Sequence, residues 1–178
     1  PLATKMIKLA KGDPMKICVA TGVISLIVSL DGDGTTTVLI VTTAVLTLFK
    51  KMKMNQLYLA VIIGFCNSVM NLVPWSGPMA RAMPVLNLTP KEFFVPVIPG
   101  MIGATFLALY MCYFYGKKER ARLGYTAEGG IIHDSDLEHI IKEINEKDAY
   151  LKRPKLIWFN FILTAAIMTM LIMDIINE

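Results

Sequence analysis

Asp31 and Asp33 lie in the stretch SLDGDGTTT, residues 29–37, with ICVATGVISLIV before it and VLIVTTAVLTLF after it. Two carboxylates this close in apolar surroundings cannot both stay ionised without a cation or a proton between them. A free polycarboxylate arriving there would be repelled. The pair suits a proton, a metal ion, or an anion that already carries a metal, which makes Asp31 and Asp33 candidate metal ligands. Gly32 and Gly34 permit the positive φ angles of a tight reversal. Thr35, Thr36 and Thr37 then open the next segment, where backbone N–H groups and hydroxyls point back toward the turn.

A second polar constellation lies in NLVPWSGPMARAMP, residues 71–84. Pro74 and Pro78 interrupt backbone hydrogen bonding, Gly77 loosens the chain, and Arg81 adds a fixed positive charge. A guanidinium binds a carboxylate with two prongs, so Arg81 is a candidate anion clamp, with snorkelling to an interface as the alternative. Asn67 and Asn71 are uncharged partners for the same space, and hydrogen bonding between helices would explain them equally well. Trp75 reads as packing or an interface anchor. Two familiar acid motifs fail at the turn. An EF-hand loop starting at Asp31 needs glycine where Thr36 stands and glutamate where Thr42 stands. The Gly-x-Gly-Asp signature of intramembrane aspartyl proteases needs aspartate where Thr35 stands, which leaves a membrane-embedded hydrolase as the weakest alternative. His133, Asp134, Asp136 and His139 read as a solvated helix start rather than a metal site. Cys18, Cys66 and Cys112 have no pairing or ligand spacing and read as small hydrophobes.

The elements that must position these residues follow from composition. Of 178 residues, 54% are hydrophobic and only 18% charged, against about 25% charged in an average globular domain. The lysines and arginines cluster at 5–16, 50–53, 117–122 and 152–155, separated by nearly uncharged stretches of bilayer length. No aromatic residues interleave with them, so the formal charge of +4 is a topology signal rather than a nucleic-acid surface. No signal peptide is expected, and the chain reads as a fragment of a longer one.

An all-α, polytopic membrane fold is expected. A bilayer core needs about 20 apolar residues in a helix to cross it. Residues 56–74, 92–115 and 156–176 qualify. Residues 17–49 instead form two arms, each too short to cross, around DGDG, and both outer ends are basic. Since basic flanks lie on the cytoplasmic side, the unit enters and leaves through one face as a re-entrant helical hairpin. Residues 1–116 thus read as one transport unit: hairpin 17–49, broken helix 56–86, and span 92–115. Residues 117–154 read as a cytoplasmic loop with a short amphipathic helix, capped by Ser135 and Glu138 and with Leu137, Ile140, Ile141 and Ile144 on one face. Residues 155–178 open a further span.

LDGDGTTT, followed about thirty-five residues later by N-x-x-P-W-S-G-P-x-x-R-A, resembles the citrate-metal:proton symporter family of bacteria, within the larger ion-transporter superfamily. The resemblance runs from about residue 16 to residue 116 and includes the order of hairpin, broken helix and span. It implies secondary transport of citrate complexed with a divalent cation such as Mg²⁺ or Ca²⁺, coupled to protons, with no resident cofactor and no enzymatic activity. It further implies an inverted-repeat architecture, a multi-pass protein of the bacterial plasma membrane and a homodimer. The carried-over positions are Asp31, Gly32, Asp33, Gly34, Thr35 and Thr36, then Asn71, Pro74, Gly77, Pro78 and Arg81. An antiporter or another organic-anion carrier of the same superfamily is the alternative. Related carboxylate transporters carry Ser-Asn-Thr at the hairpin tip, where this chain has DGDGTTT.

Overall fold

The computed structural model describes residues 13–125, together with scattered helical positions between Phe159 and Met173. Helix α1, Pro14–Val28, starts where Asp13 accepts the Met15 N–H at 3.0 Å and Pro14 occupies the first turn. Proline costs nothing there, because its missing N–H has no intrahelical partner in any case. A 3-10 turn, Ser29–Asp31, follows, and the chain reverses at Gly32 with φ +78°. Helix α2, Gly34–Lys51, begins with Asp33 as its cap. Asn55 caps α3, Gln56–Met70, by accepting the Leu57 N–H at 3.0 Å. The chain is then non-helical until α4, Gly77–Leu86. Asn87 ends α4 in the left-handed region, with φ 51°. Helix α5, Pro90–Arg122, starts from a reciprocal capping box between Thr89 and Glu92.

Helix α3 packs against α1, α2 and α5, and α1 packs against α5. Val41, Val45, Leu48 and Phe49 present one buried face of α2, and Leu59, Ile62, Ile63, Cys66 and Val69 present that of α3. Their spacing of three and four residues is the helical period. The opposite face of α2 leaves Val38, Leu39 and Ile40 exposed, and α5 leaves Ile98, Ile102, Phe106 and Tyr110 exposed. Such contiguous exposed apolar surface marks a membrane or a protein contact rather than a water-facing side. Among the described residues, two helical stretches, Pro14–Asp31 and Pro90–Arg122, are long and apolar enough to cross a bilayer, so the first arm, which the sequence reads as too short, reaches a crossing length once the 3-10 turn extends it to 18 residues.

Both ends of the helical hairpin are fastened to the last turns of α5. Asp13, at the start of α1, lies 3.9 Å from the Arg120 guanidinium. Past the end of α2, the Lys53 carbonyl accepts from Arg122 at 2.6 Å, and the Asn55 N–H donates to Glu119 at 2.7 Å. Glu119 is fully buried and also takes the Arg122 guanidinium. Gly116 lets the backbones meet, because a side chain there would come within 2.8 Å of the Met15 Cα. The start of α1, the end of α2 and the start of α3 therefore share one level.

Helix lengths then place the turn. At about 1.5 Å per residue, the 15 residues of α1 and 18 of α2 give arms of about 22 and 27 Å, while the 33 residues of α5 give about 50 Å. The buried residues of α5, Ala108, Cys112, Gly116 and Glu119, all lie in its second half. The hairpin thus flanks only that half.

Two expectations change. Helix α5 continues through Lys117–Arg122, which the charge pattern reads as loop, because Glu119, Arg120 and Arg122 are anchored on the hairpin ends. Gly34 does not use a left-handed φ: it is the first helical residue of α2, and its missing side chain makes room for Asn67 instead. Pro84 lies inside α4 without ending it. The amphipathic segment around Ser135, the residues His133 to His139, and most of the span at 156–176 lie outside the described residues. Replacing Glu119 with alanine leaves the Asn55 N–H and the Arg122 guanidinium without their acceptor, and is expected to cost about 2 kcal/mol. Thermal unfolding of the full-length protein in detergent would show a lowered midpoint, and an unchanged midpoint would remove this latch from the account.

Candidate functional site

The turn at Ser29–Gly34 packs against the break between α3 and α4. A side chain on Gly32 would come within 2.9 Å of the Ser76 Cα, and one on Gly34 within 2.6 Å of the Asn67 amide. The Trp75 indole N–H donates to the Leu30 carbonyl at 2.9 Å, joining the two non-helical segments directly. Ser76 is fully buried and donates to the Asn71 carbonyl at 2.6 Å, which closes the break on itself.

Between turn and break lies an open cavity of about 620 Å³, lined by Gly32, Asp33, Gly34, Thr35, Val38, Leu39, Asn67, Asn71, Gly77, Pro78 and Arg81. That volume is within the range of small-molecule sites, about 300–1,000 Å³. Eight of the eleven positions carried over from the resemblance meet here, Gly32, Asp33, Gly34, Thr35, Asn71, Gly77, Pro78 and Arg81, and Asn67, expected beside Asn71, joins them. Asp31, Thr36 and Pro74 do not line it. Val38 and Leu39 enter because the second turn of α2 turns its exposed apolar side to the same space, a consequence of tertiary packing that no motif announces.

The two aspartates differ in what they do. Asp31 accepts the Asp33 N–H at 2.9 Å and so shapes the reversal. Asp33 caps α2, accepting the Thr35 N–H at 3.2 Å, the Thr36 N–H at 3.1 Å and the Thr36 hydroxyl. The Thr37 hydroxyl donates to the Asp33 carbonyl at 3.1 Å. The α2 donors that the sequence suggests for a bound anion are thus largely taken by Asp33. What that end of the cavity presents is a carboxylate, held in place and still exposed.

The other wall is electropositive. Ser76 caps α4 without a side-chain bond to the helix, since its hydroxyl goes to Asn71. The first turn of α4 therefore keeps unpaired N–H groups and the positive end of the helix dipole. Arg81 folds back over that turn, its Nε donating to the Gly77 carbonyl at 3.0 Å, and its guanidinium lines the cavity. Arg81 is thus exposed and lines the cavity. The cavity thus pairs an acidic wall, suited to a cation, with a basic wall, suited to carboxylate oxygens.

Along α1, Thr21 donates to the Ile17 carbonyl and Ser25 to the Thr21 carbonyl, both at 2.8 Å. Ser29, one turn further, is buried with its hydroxyl unpartnered among the described residues; nothing in the structure explains it. Cys18, Cys66 and Cys112 are free and buried in the helical core, and no cluster of metal-binding side chains occurs among the described residues.

Comparison with known proteins gives a consistent picture. The family model described as "Citrate transporter" matches residues 1–178. A protein of Bacillus subtilis (strain 168) named "Citrate transporter" is 43% identical over 176 residues, which cover 99% of this chain and 39% of that protein. A "Mg(2+)/citrate complex secondary transporter" of the same organism is 36% identical over 172 residues, covering 97% of this chain and 38% of that protein. An "Uncharacterized transporter YraO", again from that organism, is 36% identical over 176 residues, 97% of this chain and 40% of that protein. The chain therefore spans about two-fifths of the length of these curated relatives. No solved structure matches it.

Proposed function

The chain belongs to the citrate transporter family, and from that premise we propose that the full-length protein is a secondary active transporter. Its substrate is citrate complexed with a divalent metal ion, carried in symport with protons across the bacterial plasma membrane. The observation that carries this reading is the cavity with walls of opposite charge, Asp33 on one side, Arg81 and the start of α4 on the other. Free citrate would meet the Asp33 carboxylate as a like charge, whereas a complex presents its cation to that wall and its outer carboxylates to the other.

Asp33 is the metal-side ligand, and Asp31 holds it in place. Thr35, Asn71 and the Gly77 N–H are available to carboxylate oxygens, with Arg81 balancing the remaining charge. A proton on the Asp33 carboxyl after the complex leaves would let the empty site return without carrying an unpaired charge across the bilayer. The Mg²⁺/citrate name of one relative and the length difference between the hairpin arms and α5 support the reading. Helices broken at mid-membrane, with their ends turned on a ligand, are the general solution for such a carrier. The hairpin is then re-entrant, its two ends at the cytoplasmic face. The remaining length of the relatives would hold a second, inverted repeat that completes the site, in a homodimer.

Labelled citrate uptake into vesicles containing the full-length protein is the test. Uptake should require a divalent cation and a proton gradient, falling to background with a chelator or an uncoupler. Equal uptake with the chelator would overturn the metal complex as substrate, and equal uptake with the uncoupler would overturn proton coupling.

A further inference from the structure

Trp75, read from the sequence as packing or an interface anchor, stands at the junction of the two cavity walls. Its indole N–H donates to the carbonyl of Leu30, 45 residues away in sequence, at 2.9 Å. That carbonyl belongs to the 3-10 turn where α1 has ended. Two residues on, Gly32 packs on Ser76, the neighbour of Trp75, so closely that a Cβ would meet the Ser76 Cα at 2.9 Å. Beyond that close pack the walls are tethered lightly: Arg81 bonds within its own helix, and Asp31 and Asp33 bond within theirs. Among the described residues, the Trp75–Leu30 bond is the one hydrogen bond that crosses from the break to the turn.

We infer that Trp75 is a positioning residue that sets the span of the cavity, and with it the size of metal ion accepted. The inference rests on the proposed function. Its chain of cause is short. The indole fixes the Leu30 carbonyl, Leu30 leads through Gly32 into Asp33, and Asp33 heads α2 opposite Arg81 and the start of α4. Loosening that bond lets the acidic wall move relative to the basic one. Mg²⁺ demands oxygen ligands at about 2.0–2.1 Å in rigid octahedral geometry, while Ca²⁺ accepts about 2.3–2.6 Å with more freedom, so selection between them depends on site size and rigidity. A residue that fixes the span without touching the substrate should therefore govern the ratio of the two ions more than the rate.

The test compares uptake of Mg²⁺–citrate and Ca²⁺–citrate by full-length wild type and Trp75→Phe, which keeps an aromatic ring and loses the N–H. Because phenylalanine is also smaller, a second variant carries β-(3-benzothienyl)alanine at position 75, which preserves the indole shape without its donor. Both are expected to shift the Mg²⁺ to Ca²⁺ ratio of kcat/KM by about fivefold, the worth of one hydrogen bond, mainly through KM. The kcat for the better complex should stay within about twofold of wild type. An unchanged ratio in the benzothienyl variant, or an equal fall in kcat for both complexes, would overturn the positioning role. Absence of wild-type uptake of either complex would instead overturn the proposed function on which it rests.

Discussion

Full-length protein carrying Asp33→Ser is expected to insert and fold as the wild type does, yet to take up metal–citrate about a hundredfold more slowly. The separation of the two effects comes from the double duty of Asp33. As the cap of α2 it accepts the Thr35 and Thr36 N–H groups, and serine is about as good a cap as aspartate. As the acidic wall of the cavity it supplies a charge that serine lacks. Losing a charge-assisted contact to a cation costs about 2–3 kcal/mol, and tenfold in rate corresponds to about 1.4 kcal/mol. Asp33→Ala loses both roles, so it should show the same transport defect together with about 1 kcal/mol of lost stability. Asp31→Asn should be milder, because Asp31 shapes the turn through the Asp33 N–H and does not line the cavity. Uptake assays paired with thermal unfolding would separate these outcomes. Wild-type uptake by Asp33→Ser would reduce Asp33 to a helix cap.

The second large effect is expected from Gly32→Ala, and Gly34→Ala is its internal control. Gly32 has φ +78°, where a side chain costs about 1–2 kcal/mol, and its added Cβ would lie 2.9 Å from the Ser76 Cα. That neighbour is backbone within the break, which Ser76 and Asn71 hold closed, so the turn itself must shift. Gly34 has an ordinary helical conformation, and its added Cβ would meet the end of the Asn67 side chain at 2.6 Å, which can rotate away. Gly32→Ala should therefore lower the unfolding free energy by about 3 kcal/mol in all, seen as a lower unfolding midpoint, and abolish uptake. Gly34→Ala should remain folded and lose affinity through the displaced Asn67. Equal stability of the two variants would show that the turn does not pack against the break as described.

The positions of the reversal, the break and the following helix were legible in the sequence for local reasons. Asp-Gly-Asp-Gly and Val-Pro-Trp-Ser-Gly-Pro punctuate apolar runs whose lengths differ from a full crossing, and glycine, proline and aspartate act within a residue or two of themselves. What remained hidden is non-local. The acids Asp13 and Glu119 lie within basic clusters and register only as a slightly smaller positive charge, yet their pairing with Arg120 and Arg122 carries α5 onward to Arg122 and ties both ends of the hairpin to it. The Trp75 bond to Leu30 joins segments that no periodicity relates. At the site, eight of eleven expected residues share the cavity, because both motifs end helices and helix ends gather where the chain is broken. The division of labour between Asp31 and Asp33 was not readable, since it depends on which carboxylate the first turn of α2 captures.

On the proposed function, the space between turn and break receives the metal–citrate complex. The most direct measurement of this uses Thr35→Cys in the full-length protein with every native cysteine, the buried Cys18, Cys66 and Cys112 among them, replaced by alanine. The rate of maleimide labelling at position 35 is measured with Mg²⁺–citrate, with citrate plus a chelator, and with Mg²⁺ alone. The complex is expected to protect the cysteine, and neither component alone is expected to do so. Labelling at one rate in all three conditions, by a variant that still transports, would place the substrate elsewhere.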